Sequence, residues 1–213
     1  MTRSPTTLTR PEGVEPKDVQ LYGCVEFCLW NAVDDAQNYQ RNLNTGELEV
    51  EDGVIYHKTE YRERRDHYAF FGTSAHTDGW DTQRNDFLGP MGDWSDPQAV
   101  REETSYQSQV TGWYPIGCHR VHMELAPGES RRVSFVLGYG KNPRDRKFVS
   151  PGVIRKDTAN RVMEKFADTA AIDAAFADLR RYWDGLLGSY QLESGDEKLD
   201  RMVNIWKQYQ CMV

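Results

Sequence analysis

The dipeptide Asp52-Gly53 constrains this chain more than any other feature. It lies between Leu48-Glu49-Val50-Glu51 and Val54-Ile55-Tyr56-His57, two short runs suited to strands. A two-residue hairpin turn whose twist matches its strands needs positive φ at both central positions, and Asp-Gly tolerates this well. The pattern predicts an antiparallel hairpin. Because an isolated hairpin is marginal in water, further strands must cover it. The alternation from Val19 to Trp30 reads as a strand buried on one face. Tyr68-Ala69-Phe70-Phe71 is apolar on both faces, as an interior strand would be. His119 to Leu125 and Arg131 to Tyr139 read as two more strands, joined by Ala126-Pro127-Gly128-Glu129-Ser130 as a second hairpin. Several strands punctuated by turn signals predict an antiparallel β-sandwich.

Composition changes after Pro151, where strand formers give way to Ala, Glu, Lys, Arg and Leu. Ile172, Phe176, Leu179, Trp183 and Leu186 recur at three- and four-residue steps, which marks one face of a helix, and Gly188 closes it. Ser194 and Glu197 have capping-box spacing for a further helix. Its apolar face is Leu199, Met202, Val203, Trp206, Tyr209 and Val213. That face needs a cover, and no capping signal ends the helix, so the chain is expected to be an excerpt. The fold class expected is α+β. At the other end, residues 1–18 are rich in Thr, Pro and charge without periodicity, and a disordered leader is expected there.

The formal net charge of -7 excludes nucleic acid as the main partner, because phosphate backbones demand a basic footprint. No apolar run is long enough to span a membrane, and Met1 to Lys17 lacks the apolar core of a secretory signal. Cys24, Cys28, Cys118 and Cys211 fit no zinc or redox spacing, and they are read as buried free thiols in a reducing cytoplasm. His119 and His122 lie three apart on a strand and point to opposite faces, so they cannot share a metal. No metal site and no Gly-rich phosphate loop is expected.

Three segments have chemistry suited to a site. Ala75 to Asp96 is dense in Gly, Asp, Trp and Pro and reads as a long loop of the functional kind. Lys58 to His67 is the densest charge cluster. It is either a mutually paired surface or an interface or anion-steering patch built from Arg forks. Asn38-Tyr39-Gln40-Arg41-Asn42 packs amides, a phenol and a guanidinium together. That set suits sugar hydroxyls, and it also suits an ordinary turn.

The string from Phe27 to Asn42, and Ile55-Tyr56-His57-Lys58-Thr59-Glu60-Tyr61-Arg62-Glu63-Arg64-Arg65-Asp66-His67, resemble the cellobiose phosphorylases of glycoside hydrolase family 94. Asp81-Thr82-Gln83-Arg84, Phe87-Leu88-Gly89-Pro90, Phe135 to Tyr139 and Met202 to Val213 do so too. The resemblance covers about Leu21 to Val213. It implies the later strands of a large sandwich over 19–149, a helical linker over 150–193 and the first helix of an (α/α)6 barrel over 194–213. The activity implied is inverting phosphorolysis of cellobiose to α-glucose 1-phosphate and glucose, with inorganic phosphate as a substrate and no cofactor. The family's general acid is a barrel aspartate that follows the closing string, so no catalytic residue is assigned here and the chain alone is expected to be inactive. The resemblance also implies a cytoplasmic homodimer in which one sandwich reaches over its partner's site, with Gln40 and Arg41 contacting the sugar. The alternative is a stand-alone carbohydrate-binding or interaction module.

Overall fold

The computed structural model describes residues 6–9, 15–27, 45–58 and 66–212. They form two compact units, Met1–Ala167 and Asp168–Val213. No helix among the described residues is long and apolar enough to cross a membrane.

The first unit is built on two antiparallel sheets. Strands β3 (Thr45–Glu51) and β4 (Val54–Lys58) form the predicted hairpin, with Asp52 at φ 50° and Gly53 at φ 72°. Strand β5 (His67–Thr73) adds to β4, β10 (Phe135–Lys141) adds to β5, and β7 (Thr111–Trp113) adds to β3. The result is a five-stranded sheet in the order β10-β5-β4-β3-β7. Strand β8 (Pro115–Leu125) is the centre of a three-stranded sheet, flanked by β2 (Lys17–Glu26) and β6 (Gly79–Gln83).

Packing explains the patterns. Phe27, Leu48, Ile55, Ala69, Phe71 and Val110 form one core cluster, with Val25, Trp80 and Phe135 packed against it. The opposite face of β4 and β5 presents Val54, Tyr56, Tyr68 and Phe70 to Ile154, Ala159, Val162 and Met163. Those last three lie on α3 (Asp157–Lys165). Strands β4 and β5 are therefore buried on both faces, which is why Tyr68 to Phe71 has no polar alternation. On the outer side of the three-stranded sheet, α1 (Arg84–Leu88) and α2 (Gln98–Arg101) bring Phe87, Leu88 and Ala99 onto Ile116 and Cys118. Strand β10 carries Gly138 and Gly140 opposite Phe70 and Tyr68, and a Cβ at either glycine would run into the facing ring.

The structure corrects several expectations. Thr6–Thr9 form a strand, β1, paired with β9 (Ser130–Val133), and β2 begins at Lys17, so neither stretch is a disordered leader. The second hairpin does not form. Both edges of β8 are taken by β2 and β6, so β9 pairs with β1, and the chain turns into β10 after Ser134. Ala75 to Asp96 is not one loop, because it contains β6 and α1. The polar strand β6 is held by side-chain hydrogen bonds that apolar periodicity does not register. Cys24 and Cys118 are a disulfide and not free thiols. They face each other across β2 and β8, a partnership 94 residues apart that local spacing cannot reveal. His119 is buried and His122 exposed, on opposite faces as expected.

The region after Lys141 is fastened to the first sheet. Strands β11 (Phe148–Ser150) and β12 (Val153–Ile154) pair with each other, and Ile154 N–H donates to Glu49 Oε2 at 3.1 Å. The Lys156 ammonium bridges Glu49 and Glu51, and Lys58 lies 3.4 Å from Glu47 and 3.6 Å from Glu49. Burial pushes the Lys156 ammonium down, but its hydrogen bonds to Glu49 and Glu51 outweigh that and hold it above the usual lysine value.

In the second unit, α4 (Thr169–Leu187) starts at Asp168, whose carboxylate accepts from Ala170 N–H, and ends at Gly188. The next helix is capped by Asp196 and not by Ser194. The Asp196 carboxylate accepts from Lys198 and Leu199, while the Ser194 hydroxyl bonds Asp200. This helix runs through α5 (Glu197–Arg201), a π-helical stretch Met202–Lys207 and α6 (Gln208–Met212).

Two buried groups give measurable consequences. His57 and His119 are almost wholly buried, and desolvation lowers each pKa to about 4, Lys147 adding to the effect at His57. Each ring is neutral in the fold and regains a pKa near 6.5 when unfolded. Their stabilising contribution is therefore complete above pH 6.5 and is lost as the pH falls towards 4. We expect unfolding free energy to drop over that window by about 3 kcal/mol per histidine. Urea melts should show His57→Phe, which keeps the stacking on Phe27, removing roughly half of the histidine slope. The second group is Asp81, buried at 1% exposure. Its carboxylate accepts from Tyr106 N–H at 3.1 Å, Ser108 N–H at 3.1 Å and Ser108 Oγ at 2.8 Å. Asp81→Ala orphans these donors and should cost about 2–4 kcal/mol in the same melts.

Candidate functional site

The site is generated by four consecutive residues that join the two sheets. Trp113 pairs with Thr45 in the five-stranded sheet, whereas Pro115 and Ile116 pair with Gln83 and Glu26 in the three-stranded one. Tyr114 is the corner between them. Its φ of 60° is left-handed, a conformation that costs a non-glycine residue about 1 kcal/mol or more. The corner is fixed from several sides. Arg84 N–H donates to Tyr114 O at 3.2 Å. The preceding segment is clamped onto β6 by Asp81, and Thr82 Oγ1 donates to Ser108 O at 2.7 Å while accepting from Val110 N–H at 2.9 Å. Asp81's carboxyl is raised by burial, but its oxygens are occupied by these donors, so it is an anchor and not an acid facing a ligand.

Above this base stands Arg84. Its guanidinium carbon lies 5.9 Å from the Trp94 ring centre and 5.8 Å from that of Tyr114, within cation–π range of both. Its Nε is 3.1 Å from Glu26 Oε1 at the end of β2. Trp94 rests on Phe87 at 5.9 Å between ring centres, yet 40% of it is exposed. Glu26, Trp94, Phe87, Tyr22, Pro97 and Val100 line part of a cleft of about 760 Å³, within the range of small-molecule sites. The Tyr22 hydroxyl reaches Ala99 O and Thr104 O at 3.2 and 3.0 Å, which ties the α2 side of the cleft to β2.

The arrangement offers aromatic faces, a paired guanidinium and carboxylate, and no nucleophile–base pair. Among the described residues no group of three or more His, Cys, Asp or Glu is placed to hold a metal ion. The expected site residues Gln40 and Arg41 lie outside the described residues. So does Thr59–Arg65 of the charge cluster, whose ends are described: Lys58 is ion-paired with Glu47 and Glu49, and Asp66 with Lys141 at 3.5 Å. Sequence reasoning missed Glu26, Trp94 and Tyr114 as a group and quoted Arg84 only within a string. The available signal was the Gly-, Asp- and Trp-rich stretch 75–96, which holds Arg84 and Trp94.

Comparison with known proteins agrees with this organisation. The model described as the glycosyl hydrolase 94 supersandwich domain matches residues 10–169. The model of the glycosyl hydrolase 94 superfamily catalytic domain matches residues 182–213. An N,N'-diacetylchitobiose phosphorylase of Vibrio furnissii is 29% identical over 199 residues, covering 92% of this chain and 23% of the relative. Its counterpart from Vibrio proteolyticus is 28% identical over 196 residues, with the same coverage. A 3-O-beta-D-glucopyranosyl-beta-D-glucuronide phosphorylase of Paenibacillus borealis is 23% identical over 136 residues, 64% of this chain and 16% of the relative. The chain thus spans about a quarter of the length of the two Vibrio relatives. With a supersandwich match over most of its length and a catalytic-domain match over 182–213, the chain belongs to the glycosyl hydrolase 94 family.

Proposed function

We propose that this chain is the sandwich-to-barrel portion of an inverting phosphorylase that cleaves a β-linked disaccharide with inorganic phosphate. The observation that carries the reading is the succession of two matches in one chain, supersandwich over 10–169 and catalytic domain over 182–213. The names of the relatives support a disaccharide as substrate.

In the reaction, a carboxylic acid protonates the glycosidic oxygen while a phosphate oxygen attacks the anomeric carbon from the opposite face. The carbon–oxygen bond to the leaving sugar breaks, and an α-sugar 1-phosphate is released. Phosphate replaces the activated water of an inverting hydrolase, so no second carboxylate is needed as base. No cofactor enters. Of the carboxylates at the site, Asp81 is sealed by its donors and Glu26 is paired with Arg84. The family resemblance is what assigns the acid to the catalytic domain, outside these residues, and the first helix of its barrel to 194–213. Gln40 and Arg41 are proposed to touch the sugar of a partner subunit in a homodimer. The string Tyr61 to His67 favours cellobiose, and the two Vibrio relatives favour N,N'-diacetylchitobiose.

The test replaces the matching quarter of the Vibrio furnissii relative with residues 1–213. A folded chimera is expected to release an α-sugar 1-phosphate from phosphate and one of the two disaccharides, glucose 1-phosphate from cellobiose or N-acetylglucosamine 1-phosphate from N,N'-diacetylchitobiose, and the ratio of kcat/KM identifies which. The 213-residue chain alone is expected to release none. A folded chimera that binds saccharide but never forms the sugar phosphate would leave the binding-module reading and remove this one.

A further inference from the structure

We infer that the bowl formed by Trp94, Arg84, Tyr114 and Glu26 binds one pyranose ring of a saccharide, as a subsite carried by the sandwich itself. The inference takes its ligand class, a β-linked disaccharide, from the phosphorylase reading. The binding geometry stands on its own residues.

The physical case begins with Trp94. Its position in the Gly-rich stretch after α1 leaves 40% of it exposed, although Phe87 supports it from below. The part of this aromatic surface that faces solvent, beside the Arg84 guanidinium, suits the C–H-rich face of a sugar ring, which offers apolar area with hydroxyls around its rim. Arg84 and Glu26 supply the matching rim. The guanidinium is held between two aromatic rings and beside a carboxylate, so its planar donors are pre-positioned. Donor and acceptor side by side fit the paired donor–acceptor character of vicinal hydroxyls.

Charge argues against the other ligand classes. An unpaired arginine would be an anion site, but Glu26 at 3.1 Å from Nε offsets this one. A nucleic acid would meet a chain of net charge -7. The left-handed Tyr114 adds a second, independent observation. A strained corner is retained where the surroundings fix it, and here Arg84 N–H and the clamped 106–110 segment fix it beneath the bowl. Rigid support of this kind reduces the ordering cost of binding. The cleft of about 760 Å³ next to Trp94 and Glu26 has room for a second ring of the saccharide.

The test titrates the 213-residue chain with cellobiose and with N,N'-diacetylchitobiose, following tryptophan fluorescence and saturation-transfer NMR. Saturable binding of at least one of them is expected. Trp94→Ala should weaken it about tenfold or more, the loss of one stacked aromatic contact. Arg84→Met should weaken it similarly, and Arg84→Lys should restore only part, because an ammonium lacks the planar fork. Trp206→Ala, which alters an exposed ring in the other unit, should leave binding unchanged. Thermal melts of each variant separate lost binding from lost folding. Binding that persists unchanged in folded Trp94→Ala and Arg84→Met overturns the subsite, as does a folded chain that binds neither disaccharide. The two readings fail separately. A chimera that turns over normally with Trp94→Ala in place removes the subsite and leaves the phosphorylase. Saccharide binding that depends on Trp94, in a chimera that never forms sugar phosphate, does the reverse.

Discussion

A carboxylate taken out of water must be given hydrogen bonds in exchange, and the architecture around the cleft follows from how Asp81 meets that demand. Its partners, Tyr106 and Ser108, belong to a segment with no strand of its own. With Thr82 holding Ser108 and Val110 from the next position, that segment is laid along β6 and delivered to β7 in a fixed register. The consequence reaches Tyr114, because the chain must then cross from one sheet to the other within a single residue. An apolar side chain at position 81 could fill the same space but could not specify where residues 106–110 run.

The same logic, with opposite charges, fastens α3 to the far face. Glu49 lies on β3, receives Ile154 N–H and faces Lys156, so one side chain joins the hairpin to the segment that leads into α3. Surface ion pairs are usually worth little. Here Lys58 and Lys156 are each only 8% exposed, and the Glu49 carboxylate they share also holds the Ile154 backbone donor, so the group acts as a fastening and not as surface decoration. Burial of both faces of β4 and β5 depends on it, since Ile154 and Ala159 complete the second core cluster.

The hairpin at Asp52-Gly53, the doubly buried Tyr68–Phe71 strand and the helix over Ile172 to Leu186 were legible because each rests on local chemistry. They depend on a turn needing positive φ, on an uninterrupted apolar run and on a 3.6-residue repeat. What escaped was set by partners distant in the chain. Strand β6 is polar because its side chains work on residues 106–110, and no periodicity registers that. Ser130–Val133 reads as the return arm of a hairpin until one sees that β8 has no free edge. Cys24 has Cys28 as its near neighbour in sequence, yet its bond goes to Cys118. The candidate site divides in the same way. The stretch from Ala75 to Asp96 could be marked as unusual, but Glu26 and Tyr114 join it only through the register of β2, β6 and β8. At the second helix, Ser194 had the right spacing for a cap, and Asp196 took the role because its carboxylate reaches both Lys198 and Leu199.

The covalent link between Cys24 and Cys118 has a mechanical meaning for the cleft. It joins directly opposed residues of β2 and β8, two positions before Glu26. Among the described residues β2 is at an edge of its sheet, and edges are where sheets are peeled apart or slip in register. Tension applied to the lead-in of β2 would open the pairs from Lys17 to Gly23 and then meet a bond it cannot unzip. The pairs Val25–Gly117 and Glu26–Ile116 lie beyond that stop. While the bond is closed, the carboxylate that balances Arg84 is insulated from any force arriving along its own strand.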